Sequence, residues 1–362
     1  MPPSPLTIVH VVYSSRIAGG EQHCIDLAHA QQALGHRVHI VGPRRSAVSG
    51  VLNPGITYHG MALPLLRGLR LRRVVRKLQA QVCHAHLGPA CKAAAKTEGC
   101  ARVGTLHVGY KSHQHEHLDG LICVNQSQPQ QLSRYAGDFR VIHNWAPIRQ
   151  DAPADGDLRS ELGLSPHQLL VGSVGRLHSS KGMDVLVGAF KSHAPVDAVL
   201  AILGEGGDRA ELEKLAAGDP RIHLLGFRRD VDTALLAMDL FVSPSREEAF
   251  PLAILEAMRA GLPIISTATQ GPREMLAHQP ATLVPIADQP AMGRAIAQVL
   301  AGLRHAPHGQ RERQTYDLAP YDRSRAVSQV LSFYGDLLQQ ARDVRLVQDE
   351  GRAPAHAAAL HA

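Results

Sequence analysis

Aromatic residues are scarce: six Phe, seven Tyr and one Trp make up 4% of 362 residues. With so few rings and no RRM-type signature the chain lacks a stacking platform for bases, so nucleic acid is not an expected partner. Cysteine is sparse too. Cys24, Cys83, Cys91, Cys100 and Cys123 are irregularly spaced and form no Cys-x-x-Cys pair, which argues against zinc knuckles and a disulfide framework. They are expected as buried or half-buried thiols in a reducing compartment. No apolar run approaches the roughly 18 residues a membrane-spanning helix needs. The N-terminus, MPPSPLTIVHVVYSS, has neither the basic start nor the cleavage site of a signal peptide. Its short run of Val and Ile reads as a buried first strand, and the expected location is the cytoplasm.

What is present is the composition of a folded globular chain, 44% hydrophobic and 19% charged. The length suffices for two domains, each with its own core. The net charge of +6 is unevenly spread: residues 1–150 carry 17 Lys and Arg against 6 Asp and Glu, whereas residues 151–362 carry 21 against 26. The first half is therefore expected to face something anionic, a membrane surface or a phosphorylated acceptor.

Short β-branched runs alternate with helical patterns, the signature of parallel sheets with crossover helices. In the first half the strands are expected at Ile8–Tyr13, Val38–Val41, Val82–His86, Val103–Leu106, Leu121–Val124 and Arg140–Ile142. A helix from about Gly20 to Leu34 is stopped by Gly35. A second series runs through Leu169–Val174, Val199–Leu203, Ile222–Leu224, Leu240–Val242, Ile264–Ser266 and Thr282–Val284. The Pro-, Asp- and Gly-containing stretch Ala146–Pro166 reads as the linker. The expected fold is α/β, two Rossmann-like doubly wound parallel-sheet domains at residues 1–148 and 149–320. Tyr321–Gln340 reads as one amphipathic helix, and the Ala-, His- and Arg-rich end from Asp343 as a frayed tail.

Open parallel sheets bind ligands beyond the carboxyl ends of their strands, so the loops there matter most. After the first strand, Gly19 and Gly20 open a helix, where free amides can meet an anion or simply make a tight turn. Arg176 and Lys181, in the loop Gly175–Gly182, can place a fork and a point charge on one diphosphate, or stand as two solvated cations. The turn Leu203-Gly204-Glu205-Gly206-Gly207 lacks the third glycine of a dinucleotide fingerprint. Glu256 sits in an apolar helix where an unpaired carboxylate would be costly, and Glu248 lies at the mouth of that helix. The two can grip hydroxyls of a sugar and a ribose, or be a surface acid and a charge complementing the helix dipole.

The segment Glu248–Glu256, with Phe250 and Gly261 in relation to it, resembles the Glu–seven residues–Glu signature of retaining glycosyltransferase family 4. The Gly19-Gly20 loop, TLHVGY around His107, VIHNW around Asn144, GRLHSSKG, LGEGG, LGFRRDV and TQGPRE are similar to that family, in its order, over about residues 6–340. The resemblance implies a GT-B fold whose two domains face a central cleft, with the last helix, 321–342, crossing back to the first domain. It implies that Arg176 and Lys181 hold the donor diphosphate with the Gly19 and Gly20 amides, that Glu256 binds ribose, and that Glu248 orients the sugar. His107 would lie near the reacting carbon or a sugar hydroxyl. Gly204, Arg228, Ala249, Phe250, Pro251 and Leu252 complete the expected substrate-binding set. Two positions depart from the family: Pro251, which has no amide hydrogen, and Trp145 stand where glycine is usual.

The resemblance further implies retaining, metal-independent transfer of a hexose-type sugar from a UDP- or GDP-sugar to a cell-envelope acceptor. That acceptor would be lipopolysaccharide, capsule or a lipid-linked glycan, and no cofactor is expected. Asp230-Val-Asp232 forms an Asp-x-Asp, read as a helix cap before a metal motif. His113, His115 and His117 read as a solvated loop before a metal cluster, while His84 and His86 share one face of a strand. Leu65–Gln79 interleaves Arg67, Arg70, Arg72, Arg73, Arg76 and Lys77 with leucine and valine. It is a basic amphipathic helix, either a crossover helix with a solvated face or a contact with the inner face of the cytoplasmic membrane. The competing readings are a non-catalytic sugar-nucleotide-binding module and another GT-B enzyme such as a phosphorylase or an epimerase. A nicotinamide dehydrogenase is disfavoured because no complete Gly-x-Gly-x-x-Gly follows a strand.

Overall fold

A computed structural model describes residues 4–62, 66–146 and 157–350. The chain forms two compact α/β units, one of residues up to Cys123 with Gln128–Ile142 and the chain from Ser324, the other of Val124–Ser127 and His143–Arg323.

The first unit holds β1 (Thr7–Val12), β2 (Arg37–Pro43), β3 (Thr57–Met61), β4 (Val82–His86), β5 (Ala101–Leu106), β6 (Gly120–Cys123) and β7 (Asp138–Val141). They form one parallel sheet in the order β3-β2-β1-β4-β5-β6-β7. Its helices are α1 (Gly19–Ala33), α2 (Arg67–Leu78), α3 (Gly88–Ala94) and α4 (Ser112–His115). All six residues of β1 and all five of β4 are buried, the condition of parallel strands covered on both faces. The edge strand β3 escapes the sequence reading, because Thr-Tyr-His-Gly-Met has no apolar run and its residues are at most half-buried.

The second unit repeats the plan with β8 (Leu169–Val174), β9 (Ala198–Leu203), β10 (Ile222–Gly226), β11 (Leu240–Ser243), β12 (Ile264–Thr267) and β13 (Ala281–Val284). They are parallel, in the order β10-β9-β8-β11-β12-β13. Around the sheet lie α5 (Leu158–Glu161), α6 (Met183–His193), α7 (Arg209–Ala216), α8 (Val231–Ala237), α9 (Leu252–Arg259), α10 (Gln270–Met275) and α11 (Gln289–Leu303).

The last helix, α12 (Arg323–Glu350), packs on the first unit, as a helix that crosses back must. Val327, Val330, Phe333, Tyr334 and Leu337 are buried along it, at the spacing of a single helical face. Arg140 on β7 pairs with Asp336 from the same unit. The helix runs on to Glu350, beyond the Asp343 at which composition suggested a tail; residues 351–362 lie outside the described residues, as do 147–156 of the expected linker and Leu65. All five cysteines are free thiols, Cys100 half-buried and the rest buried.

Candidate active site

Each sheet has one point at which its strand order reverses, and loops leaving neighbouring strands diverge there to open a crevice. In the second unit that point lies between β8 and β11, which are adjacent in the sheet though far apart in the chain. The loop after β8 carries Arg176 and Lys181, and the loop after β11 carries Glu248.

The two loops are stitched together by backbone. The amides of Arg246 and Glu247 donate to the Ser180 carbonyl at 2.8 and 3.3 Å, and the Arg246 guanidinium forks onto Asp184 at 2.6 and 2.7 Å. Gly182 has φ +62°, and a Cβ there would stand 2.2 Å from the Pro244 carbonyl oxygen, so only glycine permits this approach. Within this frame the Lys181 ammonium donates to Glu248 Oε1, and the Ser245 hydroxyl donates to the same oxygen at 3.2 Å. The pair is half-buried, at 22% and 13% side-chain exposure, where a charge-assisted bond is little weakened by water. Arg176, earlier in the same β8 loop, is exposed and has no hydrogen-bond or ion-pair partner among the described residues.

The rest of the expected set divides. Gly204, at φ +149°, lets the turn after β9 close on this loop; a Cβ there would meet the Gly175 carbonyl oxygen at 1.8 Å and the Arg176 nitrogen at 3.7 Å. Glu256 is buried in α9, 2% exposed, and is engaged by its neighbours. Between Glu248 and α9 the chain is tied by its carbonyls. Glu248 accepts from the Gly271 amide at 3.1 Å, Ala249 from Asn125 Nδ2 at 2.8 Å, and Phe250 from Asn144 Nδ2 at 2.9 Å. The amides of Ala249 and Phe250 donate to no group among the described residues. Pro251 takes the N-cap position of α9, and Leu252 begins the helix.

Arg228, in the loop after β10, chelates Asp230 at 2.7 and 3.0 Å and donates to Glu161 at 2.7 Å. Its guanidinium is thereby held above its ordinary pKa, first by the hydrogen bonds of Asp230. The Asp-x-Asp is occupied in the same way, Asp230 by Arg228 and Asp232 by Arg259 at 2.8 Å. Asp230 stands at the N-cap position of α8, but its side chain makes no capping bond there, which corrects the capping role. The carboxylate goes to the guanidinium instead, a charge-assisted and bidentate partner.

Sequence reasoning missed His143 and Asn125. His143 stacks on Phe250 at 5.0 Å and bonds Glu274 at 2.6 Å, while the Gln126 amide donates to the other oxygen of Glu274. Polar residues just past strands β6 and β7 were the available signal.

In the first unit the order reverses between β1 and β4. There α1 begins at Gly19, with Glu21 reaching back to the Ala18 amide at 3.0 Å. A Cβ on Gly20 would touch Leu87 at 3.1 Å and the His107 ring at 3.5 Å, so His107 stands beside the helix start. His107 is only partly exposed, and burial keeps its imidazole well below its ordinary pKa, hence neutral.

Of the described residues, only His10, His84 and His86 bring ligand atoms close enough for a metal, within 4.8 Å of one another. His113 and His117 are exposed, and His115 instead accepts the Lys111 amide at 3.0 Å.

Comparison with known proteins bears on the family and the fold. Residues 168–302 match the family described as "Glycosyl transferases group 1", and residues 17–149 match "Glycosyltransferase Family 4". The lipopolysaccharide core biosynthesis glycosyltransferase LpsE of Rhizobium meliloti is 26% identical over 66% of this chain and 70% of its own. The alpha-monoglucosyldiacylglycerol synthase of Acholeplasma laidlawii is 26% identical over 70% and 77%. Among solved structures, Anabaena HepE in complex with UDP and glucose superposes with a TM-score of 0.76 at 19% identity, covering 91% of this chain and all of that one. WaaG, a glycosyltransferase of lipopolysaccharide biosynthesis, gives 0.66 at 17% identity, covering 93% and 99%. The fold is thus GT-B, and the chain belongs to the group 1, family 4 glycosyltransferases.

Proposed function

We propose that this protein transfers a hexose-type sugar from a UDP- or GDP-sugar to a glycan or lipid-linked acceptor of the cell envelope, with retention of anomeric configuration and without a metal. The observation that carries this reading is the Lys181–Glu248 contact at the β8–β11 reversal, with unpartnered Arg176 on the same β8 loop as Lys181. Breaking the bond from anomeric carbon to diphosphate leaves negative charge on the nucleotide and positive charge on the sugar. Arg176 and Lys181 stabilise the former, a task otherwise given to a divalent ion. Glu248 orients the sugar, the Ala249 and Phe250 amides offer it donors, and Glu256 takes the ribose hydroxyls. The departing phosphate oxygen accepts the proton of the acceptor hydroxyl as the new glycosidic bond forms on the same face. At the reversal of the first unit, His107 takes a sugar hydroxyl and the Gly19 and Gly20 amides an anionic group. Relatives named for lipopolysaccharide core and glycolipid synthesis support the acceptor class.

The test is product analysis with UDP-, GDP-, ADP- and CMP-sugars, with and without acceptor, in the presence of chelator. One UDP- or GDP-sugar is expected to yield a product of unchanged anomeric configuration at an unaltered rate. Inversion, activity abolished by chelation, or donor binding without turnover would each reject the corresponding part.

Helix α2 supports an envelope acceptor. Leu71 and Val75 are buried, whereas Leu66 and Leu69 are 65% and 52% exposed, next to exposed Arg73, Arg76 and Lys77. Spaced three to four residues apart, these leucines and cations share one helical face, suited to an anionic bilayer surface. Cosedimentation with anionic vesicles is expected to weaken as salt rises. Exchanging Arg73, Arg76 and Lys77 for Gln should lower it by about 10²-fold, at about 1 kcal/mol per cation. Equal binding to neutral and anionic vesicles would refute the electrostatic contact.

A further inference from the structure

The first unit contains a continuous chain of buried polar side chains that ends at His107. His10 on β1 is the register partner of His84 on β4, and His86 lies two residues further along the same face. His10 Nε2 is 2.7 Å from Gln31 Oε1, His10 Nδ1 is 3.1 Å from His86 Nε2, and His86 Nδ1 is 3.1 Å from His107 Nε2. A second branch leaves the other end of the same amide. Gln31 Nε2 donates to the Tyr334 hydroxyl at 3.3 Å, that hydroxyl is 2.6 Å from His84 Nδ1, and His84 Nε2 is 2.7 Å from Thr105 Oγ1. Gln31, His10, His84, His86 and Tyr334 are wholly buried, and burial lowers the pKa of each histidine, to about 4 for His10. At neutral pH each ring therefore carries one proton and one bare nitrogen.

The placement of those protons follows step by step. Gln31 Oε1 can only accept, so His10 holds its proton on Nε2 and accepts at Nδ1. His86 must then donate from Nε2 and accept at Nδ1, and His107 must donate from Nε2. On the other branch Tyr334 accepts from Gln31 and donates to His84 Nδ1, leaving His84 Nε2 to donate to Thr105. Every group along both branches is satisfied, as buried polar groups require. His107 Nδ1 is left over; it has no partner among the described residues and belongs to a partly exposed ring.

We infer that Gln31, His10 and His86 are positioning residues that hold His107 as its Nε2–H tautomer, so that Nδ1 faces incoming ligand as a hydrogen-bond acceptor. A ligand hydroxyl must then donate to it. That the hydroxyl belongs to a sugar rests on the proposed function; the tautomer does not.

Two alternatives predict the opposite outcome. Turning the Gln31 amide over reverses every bond and puts the His107 proton on Nδ1. A divalent cation held by His10 Nδ1 and His86 Nε2 also forces the His86 proton to Nδ1, and with it that of His107.

The experiment is long-range proton–nitrogen NMR of the full chain carrying nitrogen-labelled histidine, at neutral pH, with the His107 signal identified by its loss in His107→Gln. The wild type is expected to show His10, His86 and His107 each as a single Nε2–H species. Gln31→Met, which removes donor and acceptor at nearly constant shape, should leave His107 exchanging between tautomers. Gln31→Glu, whose carboxylate can only accept, should keep Nε2–H. An Nδ1–H or mixed His107 in the wild type overturns the inference whether or not the variants fold, and so does an unaltered His107 in folded Gln31→Met. Should no nucleotide sugar be turned over, these spectra stand unaffected, so the two readings fail separately.

Discussion

Lys181→Ala is expected to lower kcat by about 10²–10³, the scale of losing one donor preorganised for transition-state charge. Two effects act in the same direction. The diphosphate leaving group loses a cation positioned by the β8 loop, and Glu248 loses the ammonium that fixes its carboxylate. Lys181→Arg keeps the charge but not the point-like geometry, and is expected to recover only part of the rate. Steady-state kinetics with the donor found by product analysis make the comparison, and thermal melting checks that the variants fold. A loss smaller than about threefold would remove Lys181 from the site.

The largest expected effect on stability lies away from the chemistry. Asp239, with a side chain 1% exposed, accepts from the Leu170 amide at 2.7 Å and faces Arg159, Arg311 and His308 at 3.0, 2.6 and 2.9 Å. Arg159 and Arg311 are themselves 6% and 5% exposed, and their other N–H groups donate to backbone carbonyls of Ser165–Gln168, Ala237 and Ala306. Asp239→Ala would leave two buried guanidinium groups without their counter-charge, at a cost of about 3–5 kcal/mol. For a domain of this size that corresponds to a fall in Tm of roughly 6–20 °C. Differential scanning calorimetry decides, and a shift below about 2 °C would show the cluster to be well hydrated instead.

The same cluster sets a pH dependence. Burial alone would raise the Asp239 pKa, but the Leu170 amide, His308 and Arg311 outweigh it, and the net shift is downward. A carboxylate depressed in the folded state contributes stability above its unfolded pKa, and that contribution is lost as pH falls through the folded value. The second unit is thus expected to lose stability below about pH 4, the ordinary carboxylate range.

Much of this architecture was legible because parallel strands buried on both faces are written as short, largely apolar runs. Leu169–Val174 could be bounded to the residue from that alone. Where a strand is neither central nor apolar, as in β3, the signal vanishes. The site was legible as separate loops. That Lys181 and Glu248, 67 positions apart, would touch depends on β8 lying next to β11, and strand order is decided by tertiary packing. Arg228 shows the converse. Its partner Asp230 is two residues away, and this local ion pair engages a guanidinium that family resemblance assigned to substrate. The histidine chain was half visible, since alternation put His84 and His86 on one face, but nothing in the spacing joined them to His10, Gln31 and Tyr334.

The central claim is that the loops after β8 and β11 receive the diphosphate of a sugar nucleotide. A crystal structure of the protein with the nucleoside diphosphate released in product analysis tests it most directly. The expected density has phosphate oxygens within hydrogen-bond distance of Arg176 and Lys181, and ribose hydroxyls on Glu256. A well-ordered diphosphate bound away from Arg176 and Lys181 would contradict the claim.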